Sequence, residues 1–196
     1  SCRHAVTILA NAVWARRKRC AFFIDPATGD PSLLYLRVAD QLDARPLARL
    51  RAASLTELGL LRAPAAAGFA ARARLEFDTL FRAGRIAAWV GCDDESVVAS
   101  SCAVFYDRLP YPDGARHAEL CGVYVEPAFR RRGIASELVR EVIAAARAGG
   151  ARKTFLRPTH DAKALYARLG FIDSELMTFA GCPAPSEPAL AGWPHH

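Results

Sequence analysis

In Val123-Tyr124-Val125-Glu126-Pro127-Ala128-Phe129-Arg130-Arg131-Arg132-Gly133-Ile134-Ala135, an apolar run passes through a proline and three arginines into a glycine. An amphipathic pattern follows, with Leu138, Val139, Val142, Ile143 and Ala146 on one side, and Gly149-Gly150 ends it. The period changes at the arginines, from that of a strand to that of a helix. The chain is therefore delivered from a strand to a helix N-terminus, where the first N–H groups have no intrahelical acceptor. Those donors and the helix dipole favour an anion. Gly133 and Ala135 are small enough for a phosphate to approach the backbone, and the arginines add charge. Three arginines in a row are also what an ordinary solvated basic turn looks like. The run needs its context.

Downstream, 154–156 begins another strand, a short helix is expected over 161–169 with Gly170 closing it, and 171–179 can form a last strand. Upstream, His117 to Val125 is a strand, preceded by the loop Leu109-Pro110-Tyr111-Pro112-Asp113-Gly114. The runs 86–90 and 97–106 flank a turn through Asp93-Asp94 and predict a hairpin. Phe69, Ala73, Phe77, Leu80 and Phe81 share one helical face that ends at Gly84. Before it, Asp43 can cap a helix bearing Leu47, Leu50, Ser54 and Leu58, stopped near Gly59. Leu34, Leu36 and Val38 alternate as in a strand. Residues 1–32 show no clear period and form an extension of unknown role, with a turn-rich linker over 25–31. The Pro-rich stretch 180–196 reads as a tail, which leaves 33–179 as the domain. The order of elements predicts an α/β or α+β domain built on a mixed sheet.

The bulk properties fit one globular domain. The chain has 196 residues, 52% hydrophobic and 9% aromatic, enough for a sizeable core. Twenty-six basic residues against 20 acidic give +6, and only Lys18, Lys153 and Lys163 are lysines. A mildly basic chain suits an anionic ligand. Arg16-Arg17-Lys18-Arg19 and Arg130–Arg132 would be the patches of a nucleic-acid binder, but no recognition motif accompanies them, and no nucleic-acid partner is expected. The six cysteines form no C-x-x-C pair and have no histidine at zinc-finger spacing, so no metal is expected. Free thiols inside apolar runs at Cys102 and Cys121 point to a reducing, cytoplasmic setting. The apolar stretch 5–14 is too short to span a bilayer, and its basic cluster follows rather than precedes it. No membrane partner is expected.

Arg130-x-x-Gly133-x-Ala135, placed after a strand and opening a helix, resembles the R/Q-x-x-G-x-G/A signature of the GNAT acetyltransferase superfamily. Leu165-Tyr166 and Gly170-Phe171 resemble the same family's LY-x-x-x-GF segment, in family order and at a similar separation. With the Arg37-Val38-Ala39 strand and the helix after Asp43, the resemblance covers about residues 34–178. One position departs from it. Many relatives carry Asn where Thr159 stands, and Thr retains a hydroxyl able to donate or accept.

The resemblance implies a mixed, mostly antiparallel central sheet flanked by helices and splayed at its middle strands. It implies acetyl-CoA as the acyl donor. The backbone of Val123, Tyr124 and Val125 would pair with the pantetheine arm. Arg130, which opens the signature, would bind the cofactor, the amides of Arg131, Arg132, Gly133, Ile134, Ala135 and Ser136 would cradle the pyrophosphate, and Thr159 would touch the cofactor. The activity implied is transfer of an acetyl group to a primary amine by direct attack, which needs a base for the amine and an acid for the departing thiolate.

Glu119 stands where protein-acetylating relatives hold a base glutamate, eleven residues before Arg130. On strict alternation it shares a face with Cys121 and Val123. His117 and Glu126 are substitutes, and an edge carboxylate facing water is the plain alternative. For the acid the resemblance points to Tyr166, whose phenol is protonated at neutral pH with an ordinary pKa of about 10; otherwise it is a core aromatic. Trp89, Tyr106, Arg108 and Tyr111 are candidate acceptor-lining residues. A non-catalytic acyl-CoA-binding module of the same fold remains the alternative function. The acceptor is not legible, and neither is the oligomeric state, although relatives that pair as homodimers are common.

Overall fold

The computed structural model describes residues 18–24, 31–94, 96–107, 109 and 116–174. Among them, strands β1 (Lys18–Ile24) and β2 (Pro31–Val38) precede helices α1 (Ala44–Glu57) and α2 (Ala66–Arg82). Strands β3 (Ile86–Asp93), β4 (Ser96–Asp107) and β5 (Arg116–Val125) follow, then helix α3 (Ile134–Ala148), strand β6 (Lys153–Phe155) and the short helix α4 (Lys163–Arg168). The six strands lie in sequence order; β1 to β5 pair antiparallel, and β6 joins β5 in parallel. The expected mixed, mostly antiparallel sheet is the one found.

The two sheet faces are covered by different helices. On one side α3 buries Ile134, Leu138, Val139, Val142 and Ala146 against Trp89, Phe105, Leu120 and Val125. These are the residues of its apolar stripe, and each large aliphatic buried contributes about 1.5–3 kcal/mol. On the other side α1 places Leu47 and Leu50 over Ala88, Val90, Cys92 and Cys102, with Phe77 and Phe81 of α2 packed at the margin. The 3.6-residue pattern thus decides which face each helix covers.

Strand β1 falls within the first 32 residues, whose sequence shows no period; it pairs from Lys18↔Arg37 to Ile24↔Pro31. Asp43 corrects the expected cap. It occupies the position before α1, but its side chain makes no cap bond to that helix. Its carboxylate instead accepts from the Asp40 N–H at 3.0 Å and from both ends of Arg37 at 2.6 and 2.7 Å. Asp40 is the capping residue, accepting from the Leu42 N–H at 2.8 Å at the head of a 3-10 turn that runs into α1. A charged partner on the preceding strand outcompetes the helix amides for Asp43. Of the last expected strand, 171–174 is without regular structure and 175–179 lies outside the described residues, as do 180–196.

Strand β5 positions the site through two irregularities. Ser100 pairs with Tyr124 and Cys102 with Cys121, so Gly122 and Val123 together oppose Ser101. This β-bulge needs a left-handed residue, supplied by Gly122 at φ 61°, and the Ser100 hydroxyl fixes it by donating to the Gly122 carbonyl at 2.9 Å. The bulge also corrects the strict alternation: Cys121 and Tyr124 face α1, whereas Val123 packs on the α3 side. The second irregularity is the shortness of β6, whose three residues pair with His117, Ala118 and Glu119. Beyond Glu119, β5 has no partner on that side among the described residues, because β6 ends at Phe155.

Candidate active site

At the far end of β5, Val125 leads through a 3-10 turn, Pro127–Phe129, into the arginines. Arg131 at φ 65° and Gly133 at φ 83° both adopt the left-handed region, which turns the chain sharply into α3. The first helical bond runs from the Glu137 N–H to the Gly133 carbonyl at 3.2 Å. The amides of Ile134, Ala135 and Ser136 therefore precede any intrahelical acceptor, and Gly133 offers no side chain to cap them. Ile134 sends its side chain into the core, so it offers the turn its backbone alone.

The three arginines differ. Arg131 is exposed. Arg132 lies over the Phe129 ring at 5.5 Å and donates to the Ala128 carbonyl at 3.0 Å. Arg130 turns toward α1: its two Nη atoms each lie 2.6 Å from a Glu57 oxygen, and its Nε donates to the Val125 carbonyl at 2.8 Å. Its charge is committed inside the fold, and it braces the turn.

Near the end of the β5–β6 pairing, Cys121 is the electrostatic neighbour that Glu119 and Tyr166 have in common. Glu119 and Tyr166 each act electrostatically on the Cys121 thiol or feel its charge, although they arrive from β5 and α4. The sequence places them 47 positions apart (166 less 119). Glu119 is partly buried and has no hydrogen bond or ion pair among the described residues. Tyr166 packs edge-on to Phe171 at 5.7 Å, and burial, then the neighbouring Cys121, pushes its phenol above its ordinary pKa. Burial likewise pushes Cys121 up to about 11, against the opposing pull of Arg51, with Glu119 adding to the rise. Thr159 is exposed on the loop after β6.

Other candidates fall elsewhere. Trp89 is buried in the core on the α3 side and lines no acceptor site, because its strand position points it at the helix. Glu126 is bound by Arg49 at 2.5 Å beside the cleft at the start of β4. His117 is buried, with its ring edge-on to Tyr106 at 5.9 Å, and Tyr106 in turn meets Phe155 at 5.4 Å. Arg108 and Tyr111 lie outside the described residues. A cleft of about 500 Å³ opens beside Arg37, Asp43, Arg49 and Glu126, at the start of β4. Its ion pairs are satisfied internally, and neither Glu119 nor Tyr166 lines it.

Two α1 residues at the site escape motif reading, Arg51 and Glu57. Helical spacing is the signal that would have found Arg51, since it sits between Leu47 and Ser54 on the inward stripe.

Among the described residues β5 keeps one edge unpaired beyond Glu119 and leads into an uncapped helix start, whose backbone donors suit an anion. The chain belongs to the acetyltransferase (GNAT) family, whose model matches residues 56–171. Similar solved structures include a GCN5-related N-acetyltransferase from Ralstonia eutropha JMP134, 23% identical with a TM-score of 0.65 over 74% of this chain and 97% of that one. A predicted acetyltransferase from Clostridium acetobutylicum, solved with acetyl-CoA, is 19% identical with a TM-score of 0.66 over 74% and 94%. Glucosamine-6-phosphate N-acetyltransferase from Arabidopsis thaliana is 15% identical with a TM-score of 0.57 over 74% and 96%. At these identities the likeness is one of fold. No curated protein matches the chain. Among the described residues no helix is long and apolar enough to cross a membrane, and no group of three metal-ligating side chains occurs.

Proposed function

We propose that this acetyltransferase moves the acetyl group of acetyl-CoA to a primary amine by direct attack. The observation that carries the reading is the open edge of β5, bounded by the uncapped α3 start at one end and by Glu119 and Tyr166 at the other. The backbone of Val123, Tyr124 and Val125 pairs with the pantetheine arm. The amides of 131–136 hold the pyrophosphate, where fixed donors and the helix dipole meet its charge without reorganising. Thr159 adds a hydroxyl at the rim. The thioester then lies beside Cys121, just past the end of the β5–β6 pairing.

Glu119 takes a proton from the acceptor ammonium, directly or through water, and the neutral nitrogen attacks the thioester carbonyl. The C–N bond forms, the C–S bond breaks, Tyr166 gives its proton to the departing thiolate, and the surplus proton left on nitrogen returns to the phenolate, directly or through water. Burial keeps that proton on the phenol until it is needed. Cys121 is not an acyl carrier in this scheme, because its thiol stays protonated at neutral pH and a thiolate is the competent nucleophile.

The test is to mix the protein with acetyl-CoA and a panel of amines, following release of the CoA thiol and acetylated product by mass spectrometry. Thiol release that depends on a primary amine supports the reading. Tight acetyl-CoA binding without turnover on any amine would instead identify a non-catalytic acyl-CoA-binding module.

A further inference from the structure

Helix α1 turns three charged side chains toward the sheet margin, and two have partners. Arg49 pairs with Glu126 and donates to the Val97 carbonyl, both at 2.5 Å. Glu57 is held by Arg130. The third, Arg51, is partly buried on the inward stripe, one turn from the fully buried Leu47 and three residues before Ser54. Among the described residues it makes no hydrogen bond and no ion pair, and Glu119 is not within ion-pair distance of it.

Arg51 lies close enough to Cys121 and Cys102 to act on both thiols. Neither supplies the missing negative charge, since burial keeps both protonated at neutral pH. An arginine turned inward on a helix face without a counter-charge leaves its donors open to an anion. Arg51 lies on the stripe of α1 that covers the sheet face carrying Cys102 and Cys121, and Glu119 shares that face of β5. Its fork of donors matches an oxyanion.

We propose that Arg51 selects the acceptor, a primary amine that also carries a carboxylate or phosphate, by binding that oxyanion while the amine faces Glu119. The inference rests on the transferase reading above and names its substrate class. An anionic group at Arg51 completes the pairing of α1 and fixes the amine beside the base, so its contribution is to KM and to positioning together.

The test uses the full chain, acetyl-CoA and matched acceptors: amino acids against their carboxamides, and O-phosphoethanolamine against ethanolamine. An acid form favoured about tenfold or more in kcat/KM supports the proposal, and the better of the two acid classes identifies the oxyanion. Arg51→Gln should lose about 10- to 100-fold on that acid and change the neutral partner by less than about threefold, with Arg51→Lys between wild type and Gln. Calorimetric acetyl-CoA affinity should be unchanged in both variants. Equal rates on acid and neutral acceptors, or equal loss on both in Arg51→Gln, would overturn the proposal and leave amine acetylation standing. Absence of acetyl-CoA binding in the wild type would instead sink the transferase reading, and this proposal with it.

Discussion

Glu57, the last residue of α1, grips Arg130 at both ends of its guanidinium, with both contacts at 2.6 Å. The Tyr124 hydroxyl donates to the same carboxylate at 3.2 Å, and the Arg130 guanidinium lies 5.4 Å from the centre of the Tyr124 ring. One carboxylate thus ties α1, the end of β5 and the turn before α3. The pair is largely exposed, so Glu57→Gln should cost at most about 1 kcal/mol of stability. Its larger effect should be on the turn: acetyl-CoA affinity is expected to weaken about three- to tenfold by calorimetry, with Tm lowered by no more than about 4 °C. Arg130 holds the Glu57 carboxyl below its ordinary value. The contribution is therefore present above about pH 4.5, the unfolded range, and is lost as pH falls through the lowered value. Unaltered affinity in Glu57→Gln would show that the turn holds its shape without this brace.

Gly133 separates backbone strain from ligand exclusion. A Cβ there would meet nothing within 4 Å, but φ is 83°. Gly133→Ala should cost about 1–2 kcal/mol of stability through the left-handed backbone alone. Gly133→Glu carries similar strain and adds a carboxylate at the helix start, so it should abolish measurable acetyl-CoA binding while the fold survives. Circular dichroism and calorimetry on the two variants check this. Normal affinity in Gly133→Glu would place the pyrophosphate elsewhere. Gly149 is a useful contrast: its added Cβ would lie 2.7 Å from the Phe105 ring, so Gly149→Ala should destabilise by about 1–3 kcal/mol without touching the turn.

The strand-turn-helix about Arg130 was legible because a period change, a glycine and an apolar stripe are local features. The hairpin around Asp94 and the helices around Leu47 and Phe77 were legible for the same reason. What escaped depends on partners distant in sequence. Asp43 reads as a cap until Arg37 on the preceding strand takes its carboxylate. Arg130 reads as a cofactor-binding residue, and its pairing with Glu57, 73 residues away, is a contact that no local pattern shows. The bulge at Gly122 defeats strict alternation, so Glu119 and Cys121 share a face but Val123 does not. Strand β1 carries no period in the sequence and is defined by its pairing with β2. Bringing Glu119 and Tyr166 to one thiol needed the parallel pairing of β5 with β6, which no local pattern encodes.

Cys121 tests whether the acyl group passes through the enzyme. With its pKa pushed up to about 11, only about one thiol in ten thousand is ionised at pH 7. Cys121→Ala should keep kcat within about threefold, and no acetylated cysteine should accumulate when acetyl-CoA is supplied without an acceptor. Intact-protein mass spectrometry reads the second outcome directly. A stoichiometric adduct that disappears in Cys121→Ala would replace direct attack by a two-step transfer.

Tyr166 carries the last expectation, because its environment sets both a rate and a pH. Burial is the main cause of its raised pKa, and the charge that Cys121 acquires when ionised adds to it. If its proton goes to the departing thiolate, the alkaline limb of kcat should fall at a pH above about 10, the ordinary phenol value. Tyr166→Phe keeps the ring against Phe171 and removes only the hydroxyl. It should lower kcat about 10- to 100-fold and erase that limb, with acetyl-CoA affinity unchanged. The raised value also bears on stability: the folded protein keeps a proton that the unfolded chain loses above about pH 10, so this contribution is complete below that pH and declines above it. In Tyr166→Phe the corresponding loss of stability as pH rises above about 10 should be smaller than in wild type. Unchanged kcat in the variant would remove the phenol from the transfer step and leave protonation of the thiolate to solvent.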